Sequence, residues 1–154
     1  MIRVLNIVTL IFFLSSNFVY AKILKPNKKI KPVEVVKIQL DGLKKNDISY
    51  KDRGIEQTWE FAHPDNKIFT GPLDRFKQMI KGESYKMLLN HKEHKISEIY
   101  SDDNKVVFEV VVMDVNKKYF MFRWQVEKYL ESGLLKNCWL TTVVSAPVPM
   151  GSSI

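Results

Sequence analysis

The spacing of apolar residues changes along the chain, from a helical period in the first half to a period of two in the second. A first helix is predicted from Pro32, because apolar residues recur there at steps of three and four with charged residues between them. Proline suits the first position of a helix, where its missing N–H has no partner to lose. The predicted buried stripe consists of Val33, Val36, Leu40 and Leu43.

Two further helices are predicted after the first. Ile55, Trp59 and Ala62 indicate a short second helix, which we expect to stop at His63-Pro64 because a residue before proline disfavours helical geometry. Gly71-Pro72 then favours the start of a third helix. Its predicted apolar stripe consists of Leu73, Phe76, Met79 and Ile80.

From Ile96 onward, apolar and polar residues alternate, which is typical of strands with one buried face. The clearest strands are 106–113, 119–128 and 137–144. If their apolar faces meet, the loops between them contain an odd number of residues. The predicted inner-face residues are Val106, Phe108, Val110, Val112, Phe120, Phe122, Trp124, Val126, Cys138, Leu140, Thr142 and Val144.

The opposite face of this sheet is amphipathic and allows two interpretations. It is either a solvated surface with cross-strand charge pairs such as Glu109 with Arg123, or the interface of a homodimer anchored by apolar side chains. The interface candidates are Glu109, Met121, Arg123, Gln125 and Trp139.

Helices followed by strands predict an α+β protein, with three N-terminal helices packed on a curved antiparallel sheet. The predicted domain spans residues 32–147, with a C-terminal tail at 148–154. Its length suits one domain, which can bury enough surface to fold without disulfides or metals. The only cysteine, Cys138, has no partner for an internal disulfide, and we expect a buried structural thiol.

Residues 1–21 have the three parts of a cleavable signal peptide. Arg3 supplies the positive charge, the apolar run from Val4 to Val19 is short and interrupted, and Val19-Tyr20-Ala21 fits the cleavage position. We therefore expect an exported protein, periplasmic or secreted. The alternative is an uncleaved membrane anchor, although the apolar run is shorter than a bilayer span usually needs.

The net charge of +7 is concentrated before the predicted domain. Arg3 and five lysines within residues 22–31 supply six of these seven charges. The five lysines are Lys22, Lys25, Lys28, Lys29 and Lys31. The domain itself is nearly neutral, which argues against nucleic acid as a partner. We expect residues 22–31 to be a solvated basic linker with weak attraction to an anionic membrane surface.

Several short motifs resemble a known family. They are Val33–Leu43, Asn46-Asp47, Gly54-Ile55, Trp59–Pro64, Thr70–Phe76, Tyr85 and Leu88–His91, and the resemblance covers about residues 33–145. Together they resemble the family called domain of unknown function 4864. The resemblance implies a cystatin-like cone fold related to nuclear transport factor two, in which three helices surround a pocket on a curved sheet. It implies no catalytic residues.

Aromatic residues predominate among the predicted lining of such a pocket. The candidates are Trp59, His63, Phe76, Tyr85, Phe108, Phe122 and Trp124. This set suits a small apolar ligand as well as it suits a filled core. We expect no cofactor and no metal, because the sequence contains no phosphate-binding loop, nucleophile elbow or paired-cysteine motif. His91 and His94 are expected in a solvated turn, since no third ligand is fixed by spacing.

The function predicted from these observations is a non-catalytic binding or interaction module, with a homodimer and a small apolar ligand as its expected partners. The alternative is a cone-fold isomerase or hydrolase. In that case His63 acts as acid or base beside a carboxylate such as Asp74 or Glu60.

Overall fold

The computed structural model describes residues 22–152. The signal-peptide prediction for residues 1–21 and the last two residues of the predicted tail lie outside this range. The helices are α1 (Pro32–Lys44), α2 (Arg53–Glu60), α3 (Pro64–Thr70) and α4 (Leu73–Lys81), followed by one turn of 3-10 helix (Lys86–Leu88). The strands are β1 (Glu93–Ser101), β2 (Lys105–Met113), β3 (Lys118–Lys128), β4 (Trp139–Val144) and β5 (Val148–Ser152). The predicted α+β order of helices before strands is confirmed.

The described chain contains one α-helix more than the three predicted. The sequence His63-Pro64 does end the second helix, but it also begins α3, because Pro64 occupies the first helical position. His63 caps this helix, since its Nδ1 accepts a hydrogen bond from the backbone N–H of Asp65 at 3.2 Å. One dipeptide therefore separates two helices that the apolar pattern alone does not distinguish.

The five strands form one antiparallel sheet in which β3 is central. β1, β2, β3 and β4 are adjacent in that order, and β5 also pairs with β3. The long strand β3 contacts β5 along its first half and β4 along its second half. The segment predicted as a C-terminal tail therefore contributes a fifth strand.

A bulge at Thr142 of β4 changes which residues of that strand face the helices. Trp124 lies opposite Val144, but beyond Gln125 the register shifts by one, so that Val126 lies opposite Thr141. An extra residue turns the rest of a strand to the other face. Trp139 and Thr141, which strict alternation places on the outer face, therefore face the core side, and Trp139 packs against the core.

The core lies between α1 and the inner face of the sheet. The buried residues of α1 are Val35, Val36, Gln39, Leu40, Gly42 and Leu43. The predicted stripe is correct for three of its four positions. Val33 is 44% exposed, and Val35 is buried in its place.

Residues 22–31 lie against the domain instead of extending into solvent. The side-chain amide of Gln57 bonds both backbone groups of Leu24: it accepts from the N–H at 2.8 Å and donates to the carbonyl at 2.9 Å. Lys25 forms an ion pair with Glu60 at 2.7 Å. The basic segment is thus attached to α2. Among residues 22–152, no helix has both the length and the apolar character needed to cross a membrane.

Two glycines allow α1 and α2 to touch through their backbones. A Cβ atom at Gly54 would overlap the carbonyl oxygen of Gly42 and would lie 2.8 Å from the Cα atom of Asn46. The same addition at Gly42 meets its nearest atom, the carbonyl oxygen of Gly54, at 3.3 Å. Asn46 fixes the turn between the helices, because its Oδ1 accepts from the N–H of Ile55 at 3.1 Å.

This contact predicts unequal effects of two matched substitutions. Gly54→Ala should lower the free energy of unfolding by about 3 kcal/mol or more, because backbone atoms must move apart to admit the methyl group. Gly42→Ala should change it by less than about 1 kcal/mol, because the better helix propensity of alanine offsets a tight contact. Urea unfolding followed by circular dichroism measures both. Equal effects of the two substitutions would contradict the close backbone approach at Gly54.

Candidate functional site

A cavity of about 310 Å³ lies between the helices and the second half of the sheet. Its walls come from all four helices, from the segment around the 3-10 turn and from β3 and β4. The lining residues are Gln39, Leu43, Thr58, Ala62, Asn66, Phe69, Thr70, Phe76, Met79, Ile80, Tyr85, Leu88, Trp124, Thr141, Thr142, Val143 and Val144. Most of them are apolar, so the cavity has the composition of a small-molecule site.

Four buried polar side chains form the inner end of the cavity, and we call them the polar cluster: Gln39, Thr58, Trp124 and Thr141. The Oε1 atom of Gln39 accepts hydrogen bonds from the Thr141 hydroxyl at 2.6 Å and from the Trp124 indole at 3.0 Å. The Nε2 atom of Gln39 donates to the carbonyl of Thr58 at 3.0 Å. Among the described residues, no buried side-chain nitrogen or oxygen lacks a partner.

The outer rim of the cavity is formed by α3, a helix with no buried residue. Phe69 lines the cavity and is 85% exposed, and the neighbouring Ile68 is 80% exposed. The helix is attached to β4 near its start, because the carbonyl of Thr141 accepts from the N–H of His63 at 2.8 Å and from the side-chain amide of Asn66 at 3.4 Å. Gly71, with a φ of 84°, follows its last residue. The cavity therefore reaches the surface beside exposed apolar side chains.

Three of the seven predicted pocket residues line this cavity: Phe76, Tyr85 and Trp124. Phe108 and Phe122 are fully buried core residues. Trp59 packs against Phe76 in a tilted arrangement, with ring centroids 5.0 Å apart. The structure thus brings together the aromatic residues of α4, β3 and the segment before the 3-10 turn, and it assigns the remaining aromatic residues to packing.

His63, the residue proposed for acid–base chemistry, is not part of the cavity wall. Its Nδ1 caps α3, and its ring lies against Tyr129, with centroids 5.4 Å apart. The carboxylate candidate Glu60 is paired with Lys25. Asp74 lies in the first turn of α4, outside the cavity lining. The described residues therefore do not unite His63 and a carboxylate within the cavity.

The sequence analysis missed the polar cluster except for Trp124. One signal was present for Gln39, which lies three residues after Val36 and four before Leu43 and so belongs to the buried stripe of α1. Thr141 could not be identified in this way, because the bulge in β4 determines its face. A polar residue at a buried helical position is therefore the informative sign of the cluster.

On the outer face of the sheet, the predicted interface residues keep their alternation up to the bulge. Glu109 lies directly opposite Arg123, and Met121 lies opposite Val111. Gln125 donates to Glu127 at 3.0 Å and to Thr142 at 3.2 Å. These contacts fit a solvated face and a dimer interface equally, so the homodimer stays a prediction.

The expectation of a solvated turn at His91 and His94 is wrong. His91 is buried, and its Nδ1 donates to the carbonyl of Leu88 at 2.7 Å. Since Nδ1 carries the proton, the Nε2 atom of neutral His91 accepts from the Nδ1 of His94, also at 2.7 Å. The Nε2 atom of His94 lies 3.7 Å from Asp41. The two histidines therefore lie between α1, which contains Asp41, and β1, which contains His94.

Burial determines the titration of both histidines. Removal from water lowers the pKa of His91 from 6.5 to about 4, against the opposing effect of its hydrogen bond to Leu88. The pKa of His94 is lowered for the same reason. Their charged neighbours are Asp41, Lys37 and Lys44. Within residues 22–152, no group of three or more His, Cys, Asp or Glu side chains could hold a metal ion.

Cys138 is buried, as predicted from the sequence. Burial raises the pKa of its thiol, which keeps the sulfur in the less reactive protonated form. It therefore adds no nucleophile to the cavity region.

The fold and the cavity define an α+β protein in which helices cover one face of a curved, open antiparallel sheet around an internal site. The chain belongs to the family described as a domain of unknown function (DUF4864), whose model matches residues 25–141. The resemblance seen in the sequence motifs is thereby confirmed, while the relation to cystatin-like cone folds stays a prediction. No curated protein and no solved structure matches this chain.

The buried histidine predicts a pH-dependent stability. Because the pKa of His91 is about 4 in the folded protein and 6.5 in the unfolded chain, the unfolded state binds the proton first. The contribution of neutral His91 to the free energy of unfolding is complete above pH 6.5. This contribution, up to about 3 kcal/mol, is lost as the pH falls from 6.5 to 4. Urea unfolding at several pH values should show that His91→Gln loses less free energy of unfolding with falling pH than the wild type does. Parallel curves for the two proteins would refute this prediction.

Proposed function

We propose that the protein is a non-catalytic binding module that holds a small, largely apolar molecule in the cavity. The observation that carries this proposal is the combination of apolar walls and a polar cluster whose hydrogen bonds are satisfied within the protein. An apolar cavity of this kind gains free energy when a ligand replaces water on its walls. The exposed rim at Phe69 supplies a route to the surface.

The proposed binding role is supported over the enzymatic alternative by the position of His63. Acid–base catalysis requires a titratable side chain within hydrogen-bond reach of the bound molecule. The ring of His63 instead caps α3, and the described lining of the cavity includes no histidine, aspartate or glutamate.

A cavity-filling substitution tests the proposal. Val144 lines the cavity and lies opposite Trp124, so the two side chains share the inner face. Val144→Phe should place extra atoms in the cavity and weaken binding of N-phenyl-1-naphthylamine at least tenfold, measured by the rise in its fluorescence. The matched control is Val115→Phe, in the exposed loop between β2 and β3, which should leave binding unchanged.

Both variants must unfold cooperatively for this comparison, which thermal denaturation verifies. If the purified wild-type protein does not enhance the fluorescence of N-phenyl-1-naphthylamine, or if Val144→Phe binds it as the wild type does, the cavity is not a ligand site.

We also propose that the protein is exported after cleavage following Ala21. The signal-peptide pattern supports this proposal, and so does the attachment of Leu24 to Gln57, which gives the proposed mature N-terminus a defined place on the domain. Intact-mass measurement of the protein from the extracytoplasmic fraction of its native host should give the mass of a chain beginning at Lys22. Recovery of the full-length chain from the membrane fraction would favour an uncleaved anchor.

A further inference from the structure

The cavity is lined without any charged side chain. Among the described residues that form its wall, the polar ones are three amide or indole groups and several hydroxyls, and none is lysine, arginine, histidine, aspartate or glutamate. An ionised group brought into such a site loses its hydration without gaining a counter-charge, which is strongly unfavourable. The site therefore selects an uncharged ligand.

Three threonine hydroxyls on the cavity wall donate their hydrogens inside the protein, whereas the fourth, Thr142, accepts from Gln125. Thr141 donates to Gln39, Thr58 donates to the carbonyl of Gly54 at 2.9 Å, and Thr70 donates to the carbonyl of Asn66 at 2.8 Å. The oxygen of Thr141 also accepts from the Trp124 indole at 3.3 Å, whereas the oxygens of Thr58 and Thr70 accept from no donor within residues 22–152. These hydroxyls therefore favour a ligand that donates a hydrogen bond over one that only accepts.

Tyr85 offers a further acceptor on the cavity wall. Its hydroxyl donates to the carbonyl of Val144 at 3.3 Å, which is long for a bond between two oxygens. No donor within residues 22–152 is bonded to the Tyr85 oxygen, and the side chain is only half-buried. The residue thus joins the cavity wall with an oxygen that can accept from an incoming molecule.

From these three features we infer the chemical class of the ligand, an inference that rests on the proposed function. The ligand is a small uncharged molecule with an apolar body and one hydroxyl group, and the hydroxyl donates to the oxygen of Tyr85. Tyr85 is the residue that determines specificity, while the apolar wall supplies most of the affinity.

Three naphthalene derivatives of similar size separate these contributions: 2-naphthol, 2-methoxynaphthalene and 2-naphthoate. Their dissociation constants are measured at pH 7 by displacement of N-phenyl-1-naphthylamine. The phenol should bind about fivefold tighter than the methyl ether, which cannot donate. The carboxylate should bind at least a hundredfold more weakly than the phenol.

The variant Tyr85→Phe keeps the ring and removes the acceptor. It should weaken 2-naphthol about fivefold, to the affinity of 2-methoxynaphthalene, and leave the affinity for the methyl ether unchanged. The unchanged affinity for the ether is itself the control for an intact cavity.

The outcomes distinguish the two proposals. If N-phenyl-1-naphthylamine itself does not bind, the proposed function fails. If it binds but 2-naphthoate competes as well as 2-naphthol, or 2-naphthol does not compete, only the ligand class is overturned. A Tyr85→Phe variant that weakens the phenol and the ether equally removes Tyr85 as the acceptor and overturns the inference in the form given.

Discussion

The buried carboxamide of Gln39 connects four elements of the structure. It extends from α1, accepts hydrogen bonds from side chains of β3 and β4, and donates to the backbone of α2. A buried amide that loses one of these partners costs about 1 to 3 kcal/mol, so the four elements must keep the relative positions that satisfy it. Apolar contacts alone allow many packings of helices on a sheet, whereas this hydrogen-bonded group favours one of them.

The same group accounts for the character of the cavity. Because the polar cluster satisfies its own hydrogen bonds, the inner end of the cavity needs neither water nor ligand to pair a buried donor. Larger side chains at this point would fill the space, but they could not bond α1 to both strands at once. Gln39 thus both lines the cavity and connects the elements around it.

The sequence predicted the general architecture well where one physical factor dominates. Alternating apolar residues identified β2 and β3, and Pro32 identified the start of α1 to the residue. The prediction was poorer where two factors compete. His63-Pro64 both stops one helix and starts another, and the second effect becomes evident only from the capping contact of His63 with Asp65.

The site was less predictable than the fold for a similar reason. The face of Thr141 depends on a single extra residue of β4, Thr142, and the apolar pattern of that strand does not indicate the bulge. Gln39 differs, because its helical spacing places it on the buried stripe although its side chain is polar. The aromatic residues were evident as a group, but their division between core and cavity wall depends on tertiary packing.

The sharing of β3 between two partners has a consequence for solubility. On the side of β3 that faces away from β2, the first half of the strand is paired only by β5. There Phe120 lies opposite Pro149 and Met121 lies opposite Val148. Without β5, this apolar part of β3 would expose unpaired backbone groups to neighbouring molecules, as in edge-to-edge aggregation. Proline in β5 cannot donate to a further strand, so the final segment both covers the edge and interrupts the one that it creates.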